Sequence, residues 1–494
     1  MEKYLLSIDN GLTATKAVLF HINGRQIASS LDKTTVIDRG VFSEIDMDQQ
    51  WATTARCIRN VIEKAGINPS QIAAIGGSGH GAGLYLLDQE NKPLGMAATS
   101  MDSRSSGIVK EWQERNISAY DLTLHPVWAG QAVPILRWLK DNDPDRYNHI
   151  HKILSVKDWI KFRLTGCITC EYTDASNSGL INLKTRSYDK EILNLFGIEE
   201  MMERLAPLSG SAEIIGYVTD ESAAQTGLAA GTPVTAGLFD VVSCALGSGV
   251  FNNSAYSLIA GTWNINSGIE ERIVECQPDT KCSLFADEIH YIYVESSATS
   301  AVNLEWFLDN LVFGFGNTVT DKGKLYQTID KGIAKLQPEE PGIIYSPFLY
   351  SSYLAKGVHA GFYGIRAEHT VFSLLRAVFE GVAFAHKMHV ENLKKGGIVR
   401  DKAVLSGGAS NSGVWCQIFA DILNLEVMTT ETSQAGALGT AVNSAAAIGL
   451  YHDYEDAVTK MVKKARTYYP GENAGIYQLK YEAFKELISK IEGQ

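Results

Sequence analysis

The chain has 494 residues, 45% hydrophobic and 20% charged, enough for about two to four domains with sizeable cores, and this balance excludes a disordered polymer. With 44 basic residues against 56 acidic ones its formal net charge is −12, which disfavours nucleic acid and anionic membrane surfaces as partners and leaves any small anionic ligand to be held by local donors. No stretch of 18 uninterrupted apolar residues occurs and MEKYLLSID runs into a strand, so a cytoplasmic location without a membrane partner is expected.

The run LLSIDNGLTATKAVLF at 5–20 predicts a β-hairpin whose Asp9-Asn10-Gly11 turn uses the tolerance of Asn and Gly for positive φ. A turn alone needs no carboxylate at the strand end, nor Thr13, Thr15 and Lys16 in one bend, and those are the parts of a metal and phosphate cradle. DQQWATTARCIRNVIEKAG at 48–66 has the spacing of an amphipathic helix. IAAIGGSG at 72–79 reads as a strand. The glycines of GGSGHGAG after it suggest a dinucleotide turn, a dehydrogenase reading weakened by the lack of a convincing acidic partner.

Seven cysteines, an odd number, make no disulfide framework, and Cys167 and Cys170 read as packing residues. In GTPVTAGLFDVVSCALGSG at 231–249 a strand ends at Phe239 and a small-residue helix begins at once. Asp240 between them has two readings: an N-cap for the amides of Val242 or Ser243, or an acceptor at a strand's carboxyl end that takes the proton of a substrate hydroxyl. The irregular GSGVFNNSAYS at 247–257 suggests a boundary near residue 250, giving domains 1–250 and 251–494. YSLIAGTWNINSGI then repeats the opening theme of strand, Gly-Thr turn at Gly261-Thr262 and second strand, and two such hairpins would close on one nucleotide's phosphates from opposite sides. The segment 371–395 has helical spacing. KAVLSGGAS at 402–410 ends a strand at Gly407 and Gly408, which admit a flat ring or a ribose close to backbone, or simply provide a strand-to-helix connection.

In their order, DNGLTATK (9–16), KDWIKFRLTG (157–166), TDASNSG (173–179), GLFDVVS (237–243), AGTW (260–263), GFYGIRAEHTVFSLLRAVFEGVAF (361–384) and SGGASNSGVWCQIFADI (406–422) resemble the FGGY carbohydrate kinases from residue 4 to about 450. VPILRWLK at 133–140 and NLEWF at 303–307 look closest to the L-xylulose kinase branch. The resemblance implies α/β architecture with two RNase H-like domains of the actin and sugar-kinase type and an active site in the cleft between them, sugar mainly on the first and ATP mainly on the second. By matching position Asp9 would hold Mg²⁺ through its water shell, and Gly11, Thr13 and Lys16 would approach the transferred phosphate. Gly261 and Thr262 would cradle phosphate from the other side, Gly407, Gly408 and Ala409 would meet the adenosine, and Asp240 would be the general base at the sugar.

Two departures stand out. Gly11-Leu12-Thr13 replaces a frequent Gly-Thr-Thr run, and His80-Gly81-Ala82 stands where the family often has Gln followed by two substrate-contacting side chains. His80 either bonds sugar hydroxyls or satisfies a neighbouring carbonyl. Asp102 and Arg104 in SMDSR match the next substrate-side segment, their plain alternative being a surface ion pair. The expected function is ATP-dependent phosphorylation of a small sugar, a ketopentose such as L-xylulose, with a hexulose or polyol kinase and a non-catalytic ATP-binding sugar sensor as alternatives. Sugar and ATP are the expected partners, and a homodimer is carried as the expected assembly.

Overall fold

The computed structural model describes residues 2–313, 322–338, 342–350 and 352–492. The first sheet contains β1 (Tyr4–Asn10), β2 (Ala14–His21), β3 (Gln26–Lys33), β4 (Ile72–Gly79), β5 (Ile214–Tyr217), β6 (Pro233–Thr235) and β7 (Leu238–Phe239). Its order is β5-β6-β4-β1-β2-β3, with β7 also on β4. The second contains β8 (Tyr256–Ala260), β9 (Asn264–Glu270), β10 (Lys281–Leu284), β11 (Tyr291–Ser297), β12 (Lys402–Ser406), β13 (Glu426–Thr430) and β14 (Lys464–Tyr468), in the order β10-β11-β9-β8-β12-β13-β14.

The two sheets repeat one topology. Each opens with an antiparallel hairpin, β1–β2 or β8–β9, that adds a third antiparallel strand, β3 or β11. The first strand of each hairpin then takes a parallel neighbour, β4 or β12, followed by a second parallel strand and an antiparallel edge. The edge strand precedes its neighbour in the first half and follows it in the second.

Central strands are apolar on both faces because both faces are covered. In β1, Tyr4, Leu6 and Ile8 pack with Trp51 and Ile58 of α1 (Met47–Ala65), while Leu5 faces the opposite cluster. Helix α1 begins where Asp46 accepts the Gln49 amide at 2.9 Å and stops at Gly66, whose φ of 63° suits glycine. Further along, α2 (Val156–Thr165) and α3 (Tyr172–Asn177) support the first sheet, and α4 (Asp240–Gly247) leaves β7 directly. In the second half α5 (Val371–Lys395), α6 (Gly413–Leu423) and α7 (Ala435–Ala447) follow.

Helices α4 and α7 cross between the sheets with their backbones in contact. A Cβ on Gly247 would lie 1.8 Å from the Ala435 carbonyl oxygen, and one on Gly439 would lie 1.8 Å from that of Ser243. Ser243 Oγ donates to the Gly436 carbonyl at 2.6 Å and sits 2.8 Å from Thr440 Oγ1. The same α7 presses on β4 of the first sheet, where a Cβ on Gly76 would be 2.4 Å from Ser444 Oγ.

Three expectations are corrected. The hairpin forms, but Asp9 and Asn10 belong to the strand, opposite Lys16 and Thr15, and neither Asn10 nor Gly11 takes positive φ; a wider bend over Gly11–Thr13 removes that need. Asn10 is buried instead, its Nδ2 donating to Thr54 Oγ1 of α1 at 3.0 Å. After β4 the chain enters a short strand, Tyr85–Leu87, and not a helix, so GGSGHGAG offers no helix N-terminus to a dinucleotide. Asp240 is the first residue of α4 after an N-cap at Phe239, and no side chain caps that helix. All seven cysteines are free thiols, and among the described residues no helix is long and apolar enough to cross a membrane.

Gly439→Ala is expected to force α4 and α7 apart at an overpacking cost of about 1–3 kcal/mol, read as a lowered thermal midpoint; an unchanged midpoint would show that the crossing tolerates a methyl group.

Candidate active site

Both hairpin bends lie at the carboxyl end of a sheet's first strand, beside the end of its parallel neighbour, where α/β proteins collect ligand chemistry. In the first half, His80 N donates to the Asn10 carbonyl at 3.1 Å, fastening the chain beyond β4 to the bend. Asp9 accepts from Ser78 Oγ at 3.1 Å, and Lys16 Nζ stands 4.0 Å from its other oxygen. Gly11 N donates to Ala14 O at 3.0 Å, and Thr34 closes the bend from outside through Gly11 O and Thr13 O. Thr13 is exposed, whereas Thr15 is buried against Asn10 and Thr34.

Asp240 emerges beside this bend because β7 pairs Leu238 with Ser78 and Phe239 with Gly79. Gly237, at φ 88°, makes the break that admits β7, since a Cβ there would be 2.2 Å from Gly77 O. Burial first, and then the negative charges of Asp9 and Asp174, raise the Asp240 pKa well above the ordinary carboxylate value, with the Val241 amide pulling the other way. Cys244, one turn along α4, feels Asp240, Asp9 and Lys16 in turn, so these groups share one small region.

In the second half, Gly261 and Thr262 form the bend after β8. The Gly261 amide donates to Trp263 O at 3.3 Å, and Thr262 O accepts from Ser300 N at 3.0 Å. Ser300 Oγ is held 2.9 Å from His386 Nε2, whose Nδ1 meets Asn266 Oδ1 at 2.7 Å. Gly407 lies against this bend: it takes φ 86°, and a Cβ on it would be 2.7 Å from Ala260 and 2.9 Å from Gly261 N. A Cβ on Gly261 would meet nothing within 4 Å, so its outer face is open. Gly408 is next to Ala260 and Ala301, and Ala409 is fully buried. The structure thus joins Gly261, Thr262, Gly407, Gly408 and Ala409 in one surface.

His80 is buried, its Nδ1 3.5 Å from Gly81 O and its Nε2 3.5 Å from the Tyr85 hydroxyl; burial lowers its pKa to about 4 and keeps the ring neutral. Beyond it Ala82 and Gly83 both adopt positive φ, 60° and 81°, and strain at a non-glycine residue marks a conformation fixed by its surroundings. The open side of Gly81 faces Asn177 and the Phe239 ring, each 2.3 Å from where a Cβ would stand. Asp102 and Arg104 do pair, but inside the protein: Asp102 accepts from Ser43 N at 2.9 Å and from Arg104 N, Nε and Nη2 at 3.1, 2.8 and 2.7 Å. Arg104 also reaches Glu44 at 2.7 Å and lies over the Phe42 ring. The surface ion pair is therefore corrected to a buried network whose oxygens are already engaged.

Sequence reasoning gave no role to the charged cluster beneath Asp240. Lys157 Nζ, fully buried, lies 3.1 Å from Asp158, 3.2 Å from Asp174 and 3.4 Å from Glu171. Glu171 accepts from Thr173 Oγ1 at 2.7 Å, and Thr173 Oγ1 in turn accepts the Phe239 amide at 2.8 Å. A chain of polar contacts therefore runs from Lys157 to the residue preceding Asp240. The signal was present in KDWIKFRLTG and TDASNSG, but only folding brings the two segments under β7.

The residues present suit a magnesium ion carried on a nucleotide. Among the described residues no group of three His, Cys, Asp or Glu could hold a metal by itself. Asp9 and Asp240 instead supply two neighbouring carboxylates with only Lys16 near, a donor set that Mg²⁺ uses together with water and phosphate oxygens.

The profile of the FGGY family of carbohydrate kinases matches the chain twice, its N-terminal domain over residues 4–247 and its C-terminal domain over residues 256–448. The chain belongs to that family and is an enzyme that phosphorylates a sugar, with ATP as the co-substrate the family implies. It is 36% identical over 493 residues to the probable L-xylulose kinase of Pasteurella multocida, covering 99% of each chain. To the L-xylulose/3-keto-L-gulonate kinase of Escherichia coli it is 35% identical over 499 residues, covering 100% of this chain and 98% of the other. The ligand-bound xylulose kinase of Lactobacillus acidophilus has the same fold, with a TM-score of 0.88 at 23% identity over 99% of this chain and 98% of that one.

Burial lowers the pKa of His125 as well to about 4, with Lys281 assisting. Histidine NMR is expected to show midpoints near pH 4 for His80 and His125, and a midpoint near 6.5 at either would mean that its ring is open to water. Thr173→Val strands the Phe239 amide and is expected to cost about 1–3 kcal/mol in denaturant unfolding; no loss would remove Thr173 from the support of β7.

Proposed function

We propose that this kinase transfers the γ-phosphoryl group of MgATP to a hydroxyl of a ketopentose, L-xylulose, with Asp240 as general base. The observation that carries this reading is the meeting of Asp9, Lys16 and Asp240 at the ends of β1, β2 and β7 in a chain whose full-length relatives include L-xylulose kinases. The first half would hold the sugar through His80 and the segment anchored by Asp102 and Arg104, and the second half would hold ATP. Gly11, Thr13 and Lys16 would face the transferred phosphate from one side and Gly261 and Thr262 from the other, with Gly407, Gly408 and Ala409 against the adenosine.

Phosphoryl transfer passes through a loose transition state and asks a protein for alignment, charge compensation and a proton acceptor. A raised pKa suits Asp240 for the last task, because a more basic carboxylate takes the hydroxyl proton more readily. Thr173, by fixing the Phe239 amide, would hold that carboxylate on line. Lys16 and the bend amides would offset charge on the phosphate, and Mg²⁺, held beside Asp9, would supply further neutralisation when bound. Closure of the halves would exclude water, which otherwise competes with the sugar hydroxyl. We read the enzyme as cytoplasmic, since its seven free thiols suit a reducing compartment.

The test is coupled ADP release over a panel of pentuloses, hexuloses and polyols, with Asp240→Asn beside the parent. The expected result is preference for L-xylulose and a loss of turnover of roughly a hundredfold to ten-thousandfold in the variant, with ATP binding retained. Near-normal turnover in Asp240→Asn would remove the base, and preference for another acceptor would replace L-xylulose.

A further inference from the structure

The second sheet reaches across to the first half through its edge strand. Cys282 N of β10 donates to Leu124 O at 2.9 Å and Leu284 N to Ser176 Oγ at 3.0 Å. This contact leaves Lys281, the first residue of β10, against the loop of the first half that carries Trp128. Lys281 Nζ lies 5.5 Å from the Trp128 ring centroid and donates to Ser296 Oγ at 3.3 Å.

Lys281 lacks a counter-ion. Among the described residues it forms no ion pair, and the carboxylate whose charge it feels, Glu295, is engaged by Thr280 Oγ1, the Tyr353 hydroxyl and His389 Nδ1. Burial lowers the Lys281 pKa with Glu295 in opposition, as for an ammonium removed from water without full compensation. Beside it the Trp128 indole N–H is buried with no acceptor. Two adjacent unsatisfied donors, one of them charged, call for an anionic acceptor from outside.

Their position relates that acceptor to the sugar. From Trp128, whose amide donates to Gln131 Oε1 at 3.1 Å, polar contacts pass through Gln131 Nε2 to His125 Nδ1 at 2.9 Å and from His125 Nε2 to Asn177 Oδ1 at 3.4 Å. Asn177 faces the open side of Gly81 together with Phe239, next to Asp240. A line of neighbouring groups thus runs from the proposed base to the unsatisfied donors.

We propose that Lys281 Nζ and the Trp128 indole N–H receive the carboxylate of an acidic acceptor, so that the kinase phosphorylates keto-aldonic acids in addition to neutral ketoses. This rests on the sugar-kinase reading with Asp240 at the reacting hydroxyl. The transfer is the same for both acceptors: the sugar oxygen bonds to the γ-phosphorus, the bond to the β,γ-bridging oxygen breaks with its electron pair leaving on ADP, and the hydroxyl proton passes to Asp240. The net charge of −12 makes a local cation necessary for an acidic acceptor.

The test compares a 3-ketohexonate, its uncharged methyl ester and L-xylulose as acceptors with MgATP, in the parent chain, Lys281→Met, Lys281→Arg and Trp128→Phe. The parent is expected to use the acid about tenfold or more better in kcat/KM than the ester, as a charge-assisted hydrogen bond allows. Lys281→Met should abolish that preference while keeping L-xylulose turnover within about threefold and the KM for ATP unchanged, Lys281→Arg should retain the preference, and Trp128→Phe should weaken it. Equal use of acid and ester by the parent, or an equal loss with every acceptor in a Lys281→Met chain of unchanged thermal midpoint, would overturn the proposal. A raised KM for ATP with all acceptors would overturn it by assigning the ammonium to the triphosphate. Turnover of the acid with none of L-xylulose would uphold this inference and refute the ketopentose reading.

Discussion

The contact between α4 and α7 governs the relation between the two halves of the chain. Helix backbones approach this closely only where side chains are absent, and Gly247 and Gly439 provide that at two levels of the crossing. Ser243 then ties the helices through the Gly436 carbonyl and Thr440. Because α4 begins at Asp240 and α7 also presses on β4, this crossing sets where the Asp240 carboxylate stands relative to both sheets. A movement of one half against the other must turn about it or slide along it.

A second constraint is the handling of charge in an acidic protein. Negative groups cluster at the ends of β1 and β7, where Asp9 and Asp240 raise the energy of ionising the latter. The fold offsets such clusters in two ways. Below β7, Lys157 is surrounded by Asp158, Glu171 and Asp174, and Thr173 connects this group to the Phe239 amide. At the surface of the site Lys16 stays at the edge of ion-pair range from Asp9, leaving that carboxylate open to a cation carried by the nucleotide. The buried cluster supports geometry, and the open pair supports chemistry.

The order of strands and helices was legible because it depends on local pattern. The apolar runs at 5–20, 72–79, 231–239, 255–263 and 402–406 are strands, and the periodic segments at 48–66 and 371–395 are helices. The repeated strand, Gly-Thr turn and strand at 256–270 anticipated the second sheet's opening, since a hairpin encodes its own register over a few residues. The bend at Gly11 was misjudged in detail because a wider loop needs no positive φ, and a wider loop leaves the same sequence signature.

What the sequence by itself determined is the class of fold, the family and the residues standing at strand ends, all consequences of alternation, glycine placement and ordered motifs read along the chain. Tertiary structure alone decided that Asp102 and Arg104 are enclosed with Glu44, that Thr173 meets Phe239 across 66 residues of sequence, and that Lys281 ends beside Trp128 without a counter-ion. The physical reason is that burial and electrostatic environment depend on distances through space. Such distances follow from how the sheets and the α4–α7 crossing pack, and no local spacing records them.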